Sequence, residues 1–293
     1  MNNVERVFWR LKIYGVLGIF TELLIRRKSW NLGDAFVFKG ENKTSISDAT
    51  SYVEVCKLAV LDPDIFANFR RCLEYRLVLE HVTKKFGKKY LSLALRNKNS
   101  LEFYNNMRSQ NLIGNPFLSN FKKIGKASPT SIRYLKVLIQ LIDIFGSLDR
   151  KTIAEIGGGF GGQAHAIVAN QKLEKYYVYD LPEVLKLSEK FLDELIDTSI
   201  FEFIDGRNPP QNKCDLVISN YAFSELTRDT QLQYLNSVIL NSNAGYITWN
   251  ELSFKELGGF SLAEVLTLIP GSFLIPEEPL TFKGNIVVVW GCN

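Results

Sequence analysis

Glycines stand at positions 157, 158, 159, 161 and 162, between Glu155 on one side and His165 on the other, and an acid, Asp180, follows after a short run. A glycine turn bends tightly and lets the backbone approach a ligand more closely than any Cβ would allow. A carboxylate about twenty residues further on lies at the interval from which it reaches a ribose diol. Two ligands fit this spacing. Read as Gly157-x-Gly159-x-x-Gly162, the cluster suits a dinucleotide, whose pyrophosphate rests on a helix N-terminus. Read as Glu155-x-Gly157-x-Gly159-x-Gly161, it suits S-adenosylmethionine, which has no pyrophosphate to place there.

Proton-transfer chemistry has few candidates. Glu225, Glu251, His165 and Tyr221 each lie within several residues of the carboxyl end of an expected strand, which is where open α/β sheets bind ligands. His165 falls one turn into the helix after the glycines, so packing accounts for it as well as chemistry does. His81 is in a helical stretch and reads as a surface or lightly buried residue. Cys56, Cys72, Cys214 and Cys292 are far apart with no CxxC pair, which favours reduced thiols over a zinc site. No spacing of Asp, Glu and His specifies a metal site.

Such residues need a scaffold, and the second half of the chain provides one by alternation. Apolar runs at 152–156, 176–179, 200–204, 215–219 and 246–249 read as five strands. Helices are expected from about residue 162, from Pro182 and near Thr227, and Ser261-Leu-Ala-Glu264 has the pattern of a capping box for another. Ser272-Phe-Leu-Ile275 and Asn285-Ile-Val-Val-Val-Trp290 follow each other without a helix between them. A parallel crossover needs a longer connection, so these two must form an antiparallel hairpin. The expected fold class is α/β: a Rossmann-like doubly wound sheet, parallel with a C-terminal antiparallel hairpin.

A sheet of this class needs only about 150 residues, which leaves a substantial first half in a chain of 293. Two domains are expected, a mainly helical one over 1-125 and the cofactor-binding one over 126-293. In the first, Asp62 can cap a helix that has Pro63 at its first position. Ile65, Phe69, Cys72, Leu73, Leu79, Val82 and Phe86 mark an apolar face, and Gly87 reads as the stop. A further helical segment spans about 90 to 104, and Ile113-Gly-Asn-Pro116 reads as a turn. Ser128 caps a helix with Ile132, Leu135, Leu138, Ile139 and Ile142 on its buried side and Gly146 at its end.

Nearer the start, Val4, Val7, Phe8, Leu11 and Tyr14 recur at helical spacing with a basic polar face opposite. Packing on the rest of the chain, a homodimer contact and peripheral contact with a membrane surface are the roles open to such a helix. Residues 13 to 25 are apolar but too short to span a bilayer, and Glu22 interrupts them; a cytoplasmic protein is expected. The 35 basic and 31 acidic residues are dispersed, for a net charge of +4, and no long basic run with interleaved aromatics suggests a nucleic-acid partner.

Four stretches together resemble S-adenosylmethionine-dependent class I methyltransferases, and within them a bacterial family of sugar O-methyltransferases. They are Glu155-Ile-Gly-Gly-Gly-Phe-Gly-Gly-Gln163, Tyr179-Asp-Leu-Pro-Glu-Val184, Ser219-Asn-Tyr-Ala-Phe-Ser-Glu-Leu226 and Gly245-Tyr-Ile-Thr-Trp-Asn250. With the weaker match at Ile113-Gly-Asn-Pro116, the likeness covers roughly residues 112 to 250. It implies a cytosolic enzyme that methylates a hydroxyl on a sugar or nucleotide-sugar acceptor destined for a surface polysaccharide or lipopolysaccharide. In that frame Glu155, Gly157, Gly159, Gly161, Asp180 and Leu181 hold S-adenosylmethionine. Asp205 and Gly206 meet the adenine amine, and Ser219, Asn220 and Tyr221 border the methyl-bearing side. Anchoring the glycine turn is an equal account of Glu155. Glu225 is the first candidate for the base, ahead of Glu251 and His165. A nicotinamide-dependent oxidoreductase is the rival enzyme, and the antiparallel hairpin counts against it, because dehydrogenase halves continue in parallel. A non-catalytic binding partner on the same fold is the rival from another class.

Overall fold

The computed structural model describes residues 52–292; the helix expected over 4–14 and the loop over 30–50 lie outside them. The described chain begins with helices α1 (Tyr52–Leu61), α2 (Pro63–Asn68), α3 (Leu73–Val78), α4 (Lys84–Ala94) and α5 (Ser100–Met107). Asp62 caps α2 as expected, its Oδ1 accepting the amides of Asp64 at 2.8 Å and Ile65 at 3.2 Å. The apolar face from Ile65 to Phe86 is not one helix, however. A 3₁₀ turn at Phe69–Arg71 and an extended Cys72 (φ −58°, ψ 133°) break it. The break carries Arg70 into the core, where it is 0 % exposed and its Nε and Nη2 meet Glu80 Oε1 at 2.5 Å each.

Gly87 does not end a helix but lies inside α4. Thr83 caps that helix through Phe86 N at 3.3 Å. A Cβ at Gly87 would stand 2.8 Å from Phe121 Cζ, so this glycine serves close packing instead. Phe121 belongs to a small antiparallel hairpin, β1 (Ser119–Phe121) with β2 (Gly125–Ala127), which the hydrophobic pattern does not reveal. The hairpin leads into α6 (Pro129–Phe145), capped by Ser128 and closed by Gly146 at φ 74°.

From here strands and helices alternate. The order is β3 (Thr152–Ile156), α7 (Gly162–Val168), β4 (Lys175–Asp180), α8 (Pro182–Asp193), β5 (Phe201–Asp205), β6 (Cys214–Asn220), α9 (Arg228–Ser237) and β7 (Ser242–Trp249). α10 (Leu252–Glu256), α11 (Leu262–Leu268), β8 (Phe273–Pro276) and β9 (Ile286–Trp290) complete the described chain. Ser261 and Glu264 form both halves of the capping box at the start of α11. The strands make one seven-stranded sheet in the order β5-β4-β3-β6-β7-β9-β8. The first five are parallel, β9 runs antiparallel to β7, and β8 pairs antiparallel with β9. This is the α/β sheet with a C-terminal hairpin that the alternation predicts.

Side chains alternate across each strand, and two cores result. Ile153, Tyr176, Val178, Leu216 and Ile218 face α6, α7 and α8, while Ala154, Ile156, Val217 and Ile247 face α9 and α11. The helical layer continues outward on the first face, α1 lying along α8 and α4 along α6. Lys190 of α8 joins these layers by donating to the last carbonyls of α1, Ala59 at 3.1 Å and Val60 at 3.0 Å, groups that a helix end leaves without internal partners. Gly245 of β7 pairs opposite Trp290 of β9. A Cβ there would lie 2.0 Å from the indole, so this glycine lets the last strand close on the sheet.

Candidate functional site

β3 ends at Ile156 and the chain turns at once through Gly157, Gly159 and Gly161, whose φ angles are 78°, 55° and 87°. L side chains are strained in this region, so three alternate positions there call for glycine. Gly157 also needs the room, since a Cβ would meet that of Ala222 at 2.0 Å. Gly162 differs: it opens α7, and a Cβ would press on Tyr134 Cε2 of α6 at 2.4 Å. The alternate glycines therefore shape the turn, and Gly162 seats the helix behind it.

Asp180 ends β4 beside this turn. Its Oδ2 accepts the Gly159 amide at 2.8 Å and its Oδ1 accepts the Leu181 amide at 2.8 Å, which fixes the direction of the carboxylate. The Asp180 carbonyl accepts the Gly206 amide at 2.8 Å, so the ends of β4 and β5 are tied together. Asp205 pairs in register with Asp180. Its own carboxylate turns to Arg207, at 2.9 Å to Nε and 2.5 Å to Nη2, and that guanidinium holds the carboxyl below the usual range.

Glu155 is 1 % exposed and accepts the Tyr176 hydroxyl at 2.9 Å beneath the glycine turn. Burial pushes its pKa up to about 8. The bond ties β3 to β4 beneath the turn. The Ser219 hydroxyl, expected toward the cofactor, is turned inward. It donates to the Ile156 carbonyl at 3.0 Å, accepts the Phe223 amide at 3.0 Å, and is 0 % exposed. It staples the end of β6 to the end of β3. Asn220 is the last residue of β6 and stays half-buried at the mouth of the site.

Tyr221, next in the chain, has φ 74°, an outlier for a bulky residue and a signal of a constrained site. Its hydroxyl donates to Glu277 Oε1 and lies 3.1 Å from Thr281 Oγ1; burial, then the Glu277 charge, pushes its pKa up. Glu225 stands one turn further on, at the end of a 3₁₀ turn over Ala222–Glu225. It accepts the Asn250 side-chain amide at 2.8 Å. Burial raises its pKa, against the opposing pull of that hydrogen bond and of Arg133. No side chain caps α9, whose N-terminal flank is Thr227. Glu251 follows β7 and is half-buried. His165 is 1 % exposed inside α7, and burial alone holds its pKa down at about 4. His165 is thus a histidine packed in the core behind the glycine turn.

Pattern reading missed Arg133 and Glu277. Arg133 sits on α6, whose residues 129–139 are all buried because the helix lies between the sheet and the outer helices. Its Cζ stands 5.8 Å from the centroid of the Tyr221 ring. Glu277 lies in the connection between β8 and β9, and only its contact with Tyr221 reveals a role. His81 is exposed on the helical side and its Nδ1 lies 3.0 Å from the Val78 carbonyl.

No family model matches the sequence, and no curated protein does. Solved structures of similar fold include a candidate RNA methyltransferase from Pyrococcus horikoshii, with a TM-score of 0.42 and 14 % identity over 66 % of this chain and 97 % of that one. TrmK of M. capricolum in complex with S-adenosylhomocysteine aligns with a TM-score of 0.36 and 16 % identity over 52 % of this chain and 65 % of that one. A SAM-dependent methyltransferase from Aquifex aeolicus aligns with a TM-score of 0.37 and 17 % identity over 52 % and 87 %.

Proposed function

We propose that this protein is an S-adenosylmethionine-dependent O-methyltransferase whose acceptor is a sugar hydroxyl, in the assembly of a bacterial surface polysaccharide or lipopolysaccharide. The observation that carries the cofactor reading is the turn after β3. Three alternate left-handed glycines lie beside an Asp180 carboxylate clamped to the Gly159 amide, and a Cβ at any of the three would press on a neighbouring side chain, Ala222, Leu79 or Leu192. The sugar rests on the sequence resemblance. Calorimetry with S-adenosylhomocysteine and with NAD tests the cofactor: the first is expected to bind and the second not. Binding of NAD alone would turn the reading to the oxidoreductase. Isotopic methyl transfer to a panel of nucleotide sugars and glycan fragments tests the acceptor, and binding without transfer to any of them would favour a non-catalytic partner.

In this reading Asp180 holds the ribose hydroxyls, and the backbone of the glycine turn lies under the amino-acid part of the cofactor. When bound, the cofactor supplies an electrophilic methyl group on a sulfonium. The protein's work is to align the acceptor oxygen for an in-line displacement and to exclude water. A sugar hydroxyl is a weak acid, so a base must take its proton as the new carbon–oxygen bond forms. Glu225 is the candidate, with a pKa raised by burial and its carboxylate oriented by Asn250. Tyr221 and Glu277 brace the same wall. Residues 1-125 are taken as a helical unit that flanks the acceptor or serves assembly, and 126-293 as the cofactor-binding unit.

A further inference from the structure

Arg133 is 8 % exposed, its Nε is buried without a hydrogen-bond partner, and no hydrogen bond or ion pair joins its guanidinium to any described residue. Buried charges in folded proteins are paired, because desolvating an isolated ion costs several kcal/mol or more. The other buried cation on the same helix does have a hydrogen-bond partner, a neutral one. Lys136, one turn along, donates to Gln140 Oε1 at 2.5 Å.

Acidic groups surround Arg133 without bonding to it. It lies in the field of Glu155, Glu225 and Glu277, yet each has other partners. Glu155 holds Tyr176 at 2.9 Å, Glu225 holds Asn250 at 2.8 Å, and Glu277 holds Tyr221 and Thr281. Burial, moreover, keeps Glu155 largely protonated near neutral pH. Tyr90 of α4 and His81 of the outer layer also sense the guanidinium, and the Tyr134 and Tyr221 rings flank it at 5.5 Å and 5.8 Å. The cation thus stands where the helical layer meets the carboxyl ends of β3 and β6, with its fork of donors unfilled by any described residue.

We propose that Arg133 is an anion-binding residue of the ligand site, which takes a carboxylate or phosphate through guanidinium hydrogen bonds. The proposal deepens the methyltransferase reading and rests on its location of the site. Two molecules could present such an anion there. One is the cofactor, through its amino-acid carboxylate; the other is an acceptor that carries an acidic group, such as a uronic acid or a sugar phosphate.

The experiment compares the wild-type protein with Arg133→Met and Arg133→Lys, using Arg133→Gln in place of the Met variant should that one fail to fold. Calorimetry measures S-adenosylhomocysteine and 5′-methylthioadenosine, which lacks the amino-acid carboxylate. Glucuronate and inorganic phosphate are then titrated onto the protein saturated with S-adenosylhomocysteine, with thermal unfolding as the readout. A loss of about 10-fold or more in S-adenosylhomocysteine affinity in Arg133→Met, with 5′-methylthioadenosine unchanged and partial retention in Arg133→Lys, assigns the cofactor carboxylate. Unchanged cofactor affinity, with stabilisation by glucuronate or phosphate in the wild type that the Met variant loses, assigns an acidic acceptor. Equal behaviour of wild type and Arg133→Met toward all four probes overturns the proposal. A wild-type protein that binds no S-adenosylhomocysteine overturns the cofactor reading instead, and the two anions titrated onto the bare protein then decide the role of Arg133 alone.

Discussion

Tyr221 donates its hydroxyl to Glu277 across 56 residues of chain, and this bond ties the end of β6 to the connection between β8 and β9. Glu277 is buried and also accepts the Thr281 amide at 2.8 Å, so the pair fixes one wall of the candidate site. Tyr221→Phe keeps the ring and removes the donor. The expected outcome is a loss of about 1–3 kcal/mol in stability by urea unfolding, the usual effect of leaving a buried acceptor short of a partner. S-adenosylhomocysteine affinity is expected to stay within about 2-fold of wild type, because the bond braces the wall away from the Asp180 cradle.

Asp180→Ala and Gly159→Val are expected to abolish measurable cofactor binding in a folded protein. The first removes both the proposed ribose partner and the acceptor that holds the Gly159 amide. The second forces a β-branched side chain to φ 55° and against Leu79, 2.8 Å from the position of its Cβ, a strain of about 1–2 kcal/mol before any contact is counted. Calorimetry with S-adenosylhomocysteine and far-ultraviolet dichroism together check the pair. Wild-type affinity in either variant would move the cofactor elsewhere.

Glu225→Gln is expected to keep cofactor affinity and lower turnover by about 10²-fold or more. A base acts in its ionised form, so with Glu225 in that role the wild-type rate is expected to rise with pH through its raised pKa. That acidic limb should be missing from the Gln variant. Near-normal turnover with the same profile would pass the role to Glu251.

Glu155 links pH to stability. Its folded-state pKa, raised to about 8 by burial, exceeds that of an unfolded glutamate, near 4.5. Between those values the folded state binds the extra proton. The contribution is thus complete below about pH 4.5 and is lost as pH rises through 8, with a slope of up to about 1.4 kcal/mol per unit. Glu155→Gln removes this dependence while keeping an acceptor for Tyr176. The difference in unfolding free energy between variant and wild type should grow in the variant's favour from pH 5 to pH 8.5, and a constant difference would refute the assignment.

Much of the sheet was legible because local chemistry and tertiary structure agree there. Asp180, the alternate glycines, Pro182, the Ser261 and Glu264 box and the closing hairpin all stand where short-range rules put them. The outer helices were less so. Gly87 has the chemistry of a stop, yet α4 runs through it because Phe121 needs the space. The same holds for Arg70, whose burial is explained by Glu80 and by the Gln110 carbonyl at 2.8 Å, 40 residues away. Arg133 escaped for a geometric reason: a helix covered on both sides buries its polar face too, and periodicity then no longer separates inside from outside. Ser219 stands at the end of β6 as expected, and the inward turn of its hydroxyl toward the Ile156 carbonyl was not legible, since a strand's end gives position and only the neighbouring strand gives direction.

Leu79 rests on Gly159, over the turn where the cofactor is proposed to lie, and it belongs to the segment between α3 and α4 that carries Glu80. A ligand that enters there must first displace this side chain. Entry then becomes a two-step event in time, with a segment opening before contact forms. Its observed rate should level off at high ligand concentration at the speed of opening, instead of climbing toward the encounter limit. Trimming Leu79 to Ala should raise that plateau in stopped-flow traces while the equilibrium constant changes far less. The residue next to the buried ion pair would thus govern how quickly the site fills.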